Sequence, residues 1–342
     1  MGEPDDVRER VLEGHFACSH GLLIAVECLG HMYQSKTENH DLSISIPTLR
    51  GNWQEGLLDP PTWNCREFRD PKHNAELSDG DFDWGVTVGF HNEPDGTQSP
   101  DFARILRWRF QTSISSTNYA SDFFAARART VREIEAWWDS ISSWISVFTR
   151  QDFVELGKTH SGVRVGPIIT WSGDAEGYRV NGSIDKSIRV VSDDVDLLDH
   201  KTLTACMSLT AQKAEPPLEW LFIRDARSLV NGRQYRRAVI DACTAAEISL
   251  TALIDNKFDA DGTSADDRKK EFDTHHGISK LKQLHTKVGA AGTLPKRLVE
   301  DVGALRNKAA HRGYNPTPVE TALAIQTATT VVEMANPLSS LR

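Results

Sequence analysis

The first half of the chain alternates between apolar and polar positions. In LSISI (42–46) the apolar Leu42, Ile44 and Ile46 are separated by serines, and WGVTVGF (84–90) and LRWRFQ (106–111) continue the period of two. The last of these sets Leu106, Trp108 and Phe110 opposite Arg107, Arg109 and Gln111. Residues two apart share one face of a strand, so each segment predicts a half-buried strand. VRVGPIITW (163–171) and YRVNGSIDKSIRVV (178–191) predict more, with Asn181–Gly182 offering a hairpin turn. FACSHGLLIAVECLG (16–30) reads as a buried strand or two. One stretch breaks the alternation. TVREIEAWWDSISSWISVF (130–148) repeats Val131, Ile134, Trp138, Ile141, Ile145 and Phe148 at three- and four-residue intervals. With Thr130 and Glu133 at capping-box spacing, it predicts a helix whose tryptophans are core residues.

Past KAEPP (213–217) the period becomes 3.6. Helices are expected over about 218–229, ending at Asn231–Gly232, and over about 234–254, with Val239, Cys243, Ala246, Leu250 and Leu253 on one face. An exposed acidic loop, NKFDADGTSADD (256–267), should follow. A third helix fits about 278–288. A fourth has Pro295 in its first turn and Gly313 as its left-handed stop, and a last one covers about 319–334. The fold expected is α+β: residues 1–215 form a β-rich domain with one long packed helix, and residues 216–342 form an all-α helical bundle.

Composition narrows the class. A length of 342 residues suits two domains, and 39% hydrophobic with 25% charged residues describes an ordinary soluble protein. The longest apolar run, GLLIAVECLG (21–30), is too short to cross a bilayer, and MGEPDDVRER lacks a basic leader region. Five scattered cysteines without a CxxC argue for reduced thiols, hence a cytoplasmic protein. His15, Cys18, His20, Cys28 and His31 are dense but fit no zinc spacing, so neither metal nor cofactor is expected. His275–His276 read as a solvated helix start. No GxxxxGK loop or GxSxG elbow is present, which leaves an NTPase or serine hydrolase without support. From Pro217 onward 18 Lys and Arg face 15 Asp and Glu, a balance of +3, while the preceding residues carry −12 of the net −9. A polyanion would therefore meet only a local basic patch, in the second half.

LRNKAAHRG (305–313) supplies such a patch together with chemistry. Asn307 and His311 are four apart and share a helix face, and Arg306 stands about 100° away on a long arm. His311 lies in the last turn, where the helix dipole favours its protonated form. A guanidinium holds two phosphate oxygens at once, and Asn offers a neutral donor and acceptor. The set suits phosphodiester cleavage without metal when RNA supplies its own 2′-hydroxyl. Arg306 would stabilise the crowded phosphate and His311 would act as general base or acid. One histidine cannot easily deprotonate the nucleophile and protonate the leaving group together, a difficulty that a symmetric dimer removes. Cations also favour last turns for the dipole alone, so this spacing has a purely structural explanation as well.

From about Leu218 to Leu338 the chain resembles a HEPN domain, the helical module of many prokaryotic toxins and defence ribonucleases. Arg306-Asn307-x3-His311 matches that family's pattern of Arg, a polar residue, and His four to six positions after the Arg. YRRAVIDACTAAEISLTALI (235–254), with its Ala-rich face and Glu247, is similar to the family's preceding helix. The β-rich front joined to this back further resembles ApeA-like proteins of bacterial anti-phage defence. The resemblance implies a metal-independent endoribonuclease acting on RNA, tRNA or mRNA, as a toxin or abortive-infection effector. It also implies a homodimer formed through the HEPN helices, and a phage-derived trigger would act at the N-terminal domain. Arg306, His311 and Asn307 would be catalytic. Glu247, on the apolar stripe, would either orient Arg306 or His311 or serve as a structural partner of an Arg. Arg236 and Arg237 would touch RNA phosphates or simply form an exposed charged face. The alternative is a catalytically silent HEPN dimerisation module carrying a ligand-binding β domain.

Overall fold

The computed structural model describes residues 8–51, 56–61, 67–70, 75–78, 83–116, 120–153, 156, 168–174, 177–184 and 195–341. In chain order the strands are β1 (Arg8–Ala25), β2 (Met32–Lys36), β3 (Asp41–Ser45), β4 (Thr48–Leu49), β5 (Leu58–Asp59), β6 (Glu67–Asp70), β7 (Ala75–Ser78), β8 (Gly85–Asn92), β9 (Gln98–Ser116), β10 (Ile168–Asp174) and β11 (Gly177–Ile184). The helices are α1 (Ala120–Thr149), α2 (His200–Ala211), α3 (Leu218–Asn231), α4 (Tyr235–Ala260), α5 (Ala265–Thr274), α6 (Gly277–Val288), α7 (Leu305–His311) and α8 (Pro318–Ala335). The chain is α+β: an antiparallel sheet region comes first and a helical region follows.

The long strand β9 organises the sheet. β1 runs antiparallel along one edge of it, while β8 and then β3 take the other edge, and β2 pairs β3. FACSHGLLIAVECLG is one strand with an irregularity. Register is kept to Ala17 opposite Arg107 and resumes at Leu22 opposite Ile105, so residues 18–21 bulge out and the strand ends in a short 3-10 turn. Alternation on β9 sends Trp108 into the core at 0% exposure, yet Arg109 on the other face is also buried, ion-paired with Glu13 and bonded to Gln111. A polar strand face is thus covered here, with its charge matched.

α1 begins ten residues before Thr130. Thr130 is therefore no cap: its hydroxyl donates to Ala126 O (3.1 Å), and Glu133 instead accepts from Thr37 (2.7 Å) and Asn39 (2.7 Å) on the β2–β3 connection. Of the described side chains in 121–129 all but Ala126 are exposed, so no apolar stripe announced that part of the helix. Val131 is exposed as well, and Trp137 takes its place in the core. Phe16 of β1 stacks on Trp138 at 4.5 Å and on Trp137 at 5.5 Å, which fixes the helix to the sheet.

Three further expectations change. Asn181–Gly182 lies within β11, where the register slips between Thr170 and Trp171, and the hairpin closes at the pair Asp174–Gly177. Most of the supposed acidic loop is helical: α4 runs on to Ala260 and α5 starts at Ala265, capped by Ser264, whose hydroxyl accepts from Asp267 N. α5 buries none of its residues, so it carries no helical stripe to read. α2 also escaped notice. It is capped by Asp199, which accepts from Thr202 N, and it packs on α1 and β2. Residues 163–167 and 185–191 of the two expected strands lie outside the described residues.

The buried residues form two large clusters. One joins the sheet, α1 and α2; the other joins α3, α4, α6 and α8, and it also includes Val147 of α1. Pro217 is the N-cap of α3, so the change of period at 213–217 coincides with the passage from one cluster to the next. Trp220 of α3 ties the end of α8 through its indole N–H to Asn336 O (2.8 Å). No described helix is long and apolar enough to cross a membrane.

Candidate functional site

α7 places its residues by simple helical arithmetic. Leu305 and Ala309, four apart, are buried against the bundle, which leaves Asn307 and His311 on the exposed side and Arg306 half-buried at the border. A π-helical segment, Val299–Ala304, runs directly into it. The helix stops as expected: Gly313 adopts a left-handed φ of 65°, and the backbone N–H groups of Arg312 and Tyr314 both return to Lys308 O (3.0 and 3.3 Å).

The guanidinium of Arg306 donates to Asn307 Oδ1 (3.1 Å), so the two consecutive residues form one polar unit. Arg236, at the start of α4, donates to Ala310 O (3.4 Å) in the last turn of α7 and so reaches the residue before His311. Arg237 turns away and donates to Gln234 Oε1 (2.6 Å) at its own helix start. The structure thus gathers Arg306, Asn307, His311 and Arg236 at one helix end, and Arg237 stays outside.

Glu247 behaves differently from either expected role. Among the described residues it makes no ion pair with an Arg and no hydrogen bond to His311. Its Oε1 lies 3.7 Å from the thiol of Cys243, one turn back on α4. Burial pushes the Cys243 thiol up to about 12; the nearby Glu247 carboxylate raises it too, and the Arg306 guanidinium pulls the other way. Val239 of α4 clusters with Leu305 of α7, and Cys243 lies one turn further along α4. Beyond it Glu247 faces Gly277 and opens on a groove of about 450 Å³ between α4, α5 and α6, with His275 and His276 in its walls.

Two residues near the motif were not anticipated. Tyr314 donates to both carboxylate oxygens of Glu320 (3.0 Å each), and Glu320 closes a capping box with Thr317 at the start of α8. Bonds from the Thr317 backbone and hydroxyl, with a smaller one from Tyr314, hold the Glu320 carboxyl below its usual range. TPVE (317–320) carries the T-x-x-E spacing that signals this cap. The turn after His311 is held from both sides.

At the front, His15, Cys18, Cys28 and His31 do not converge. His15 accepts from Arg107 (2.7 Å), while Cys28 donates to Leu198 O (3.6 Å). Among the described residues no group of three His, Cys, Asp or Glu is placed to hold a metal ion. Comparison of the chain with known protein families, curated proteins and solved structures finds no match.

Proposed function

We propose that the protein is a metal-independent endoribonuclease of the HEPN type that cuts tRNA or mRNA in the cytoplasm as a toxin or anti-phage effector. In this reading residues 216–342 are the catalytic domain, residues 1–215 sense a phage-derived trigger, and a homodimer pairs two copies of the site. The observation that supports it is the exposed end of α7, where His311 and Asn307 face solvent, half-buried Arg306 bonds to Asn307 and Arg236 reaches Ala310. The 2′-oxygen of the substrate attacks the phosphorus and gives its proton to the imidazole of His311. The bond to the 5′-oxygen breaks, and a protonated imidazole from the second copy supplies that oxygen with its proton. The products are a 2′,3′-cyclic phosphate and a 5′-hydroxyl. Arg306 and Arg236 offset the charge that gathers on the equatorial oxygens.

The test is expression of the wild type, Arg306→Ala and His311→Ala side by side, with sequencing of 5′-hydroxyl RNA ends. Removing the imidazole should cut cleavage by about 10²- to 10⁴-fold, the usual yield of a positioned acid or base. Equal RNA integrity in all three strains would sink the proposal.

A further inference from the structure

The groove beyond Arg306 has a composition that selects its occupant. Its floor is apolar, from Ile248, Leu281 and the ring of Phe272, which Phe258 holds edge-on at 5.8 Å. Nδ1 of His275 is tied to Glu271 O (2.7 Å) and to the Thr274 hydroxyl (3.0 Å), which fixes that imidazole in the wall. No Lys or Arg is among the described lining residues, whereas two carboxylates, Glu247 and Asp273, are. A phosphate would be repelled. A flat, neutral group with N–H donors on one edge would be held: its faces against the aromatic ring and imidazoles, its donors on a carboxylate.

Position relates the groove to the helix end. Arg236 touches Ala310, the charge of Arg306 reaches Cys243, and Glu247 lies against Gly277. At a rise of about 1.5 Å per residue, Cys243 stands about 10 Å along α4 from Arg236, and Glu247 about 6 Å further. Along α4 the groove therefore lies past the level of Cys243, on the side away from the Arg236–Ala310 contact.

We propose that this groove holds a guanine base next to the linkage gripped by Arg306, with the Glu247 carboxylate accepting from guanine N1–H and N2–H. Guanine is the base whose two adjacent N–H donors match the two oxygens of a carboxylate; uracil presents a single N–H between two acceptors. The assignment rests on the ribonuclease reading only for the source of the base, RNA rather than a free nucleotide.

The test has two arms on full-length protein. In the first, calorimetry measures binding of guanosine and uridine monophosphates to wild type, Glu247→Gln and His276→Ala. Wild type should bind the guanine nucleotide about tenfold or more tighter than the uridine nucleotide, and Glu247→Gln should lose about 10- to 100-fold, as expected for a charged hydrogen-bonded pair. His276→Ala, a change at an exposed wall position, should weaken both nucleotides. In the second arm, the distribution of RNA ends should favour cuts beside guanosine in wild type and lose that bias in Glu247→Gln. Equal affinity for both nucleotides, or an unchanged Glu247→Gln, overturns the groove assignment. Guanine binding without RNA cleavage keeps the groove, assigns it to a free guanine nucleotide and overturns the ribonuclease. Cleavage with neither bias nor guanine binding does the reverse.

Discussion

Cys243 gives a direct reading of the charges around the α4–α7 seam. The thiol is 1% exposed and is pushed from an ordinary value of 9.0 to about 12. Because the thiolate is the reactive species, about one molecule in ten thousand would be ionised at pH 8, against about one in ten for an unperturbed thiol of that ordinary value. Alkylation should therefore be slowed about 1,000-fold by ionisation alone, before steric protection is counted. The assay is iodoacetamide modification of a Cys65→Ser protein, read site by site by mass spectrometry as a function of pH. Burial is the largest cause of the shift, so changing a neighbouring charge should move the rate only about a few-fold. The sign is the decisive part. Glu247→Gln removes a group that raises the thiol, so it should speed modification; Arg306→Gln removes one that lowers it and should slow modification. Buried Cys206, in the other cluster, should be indifferent to both. If Cys243 reacted at the rate of an open thiol, or if both substitutions moved the rate the same way, the seam described here would be wrong.

Two further outcomes follow from the same kind of accounting. His15 is held down to about 4 by burial and by the charge of Arg107; the unfolded chain takes up that proton near 6.5 and the folded chain refuses it, so stability should fall as pH drops from about 6.5 towards 4. Urea titrations across that window should show the loss in wild type and a flatter profile in His15→Gln. Gly303, in the π segment, has room for no branched side chain, since even a Cβ would lie 3.1 Å from Cβ of buried Ile278. Gly303→Val should cost about 1–3 kcal/mol by overpacking, measured by chemical denaturation; an unchanged midpoint would contradict the close approach.

What the sequence disclosed, and what it hid, follows burial. The helices α3, α4, α6 and α8 each lay a stripe of buried residues on a shared core, and those stripes are visible as a 3.6-residue period. α5 meets its neighbours through half-buried Phe272 and through ion pairs of Arg268 with Asp255 and Asp259 and of Glu271 with Lys287, so its polar sequence looks like a loop and the Ser264–Asp267 cap is the local sign of it. The Asn-Gly pair misled because the same backbone freedom that serves a turn also serves a slip in register. At the site, the spacing of Arg306, Asn307 and His311 was fully legible, since it depends on one helix. Glu247 was only half legible: its place on the buried stripe was readable, but the groove it faces is made by α5 and α6, and no local pattern announces a space between three helices.

The π segment ties these observations together. A single widened turn inserts one residue, which rotates everything after it by about 100° relative to an unbroken α-helix. Leu305 and Ala309 are buried in the rotated frame, and that burial is what leaves Arg306 at the border beside the α4 seam. Within that segment residue 303 is glycine, and its backbone lies close against Ile278 at the start of α6. A bulkier residue at 303 should therefore disturb the π segment that leads into α7 and the start of α6 together.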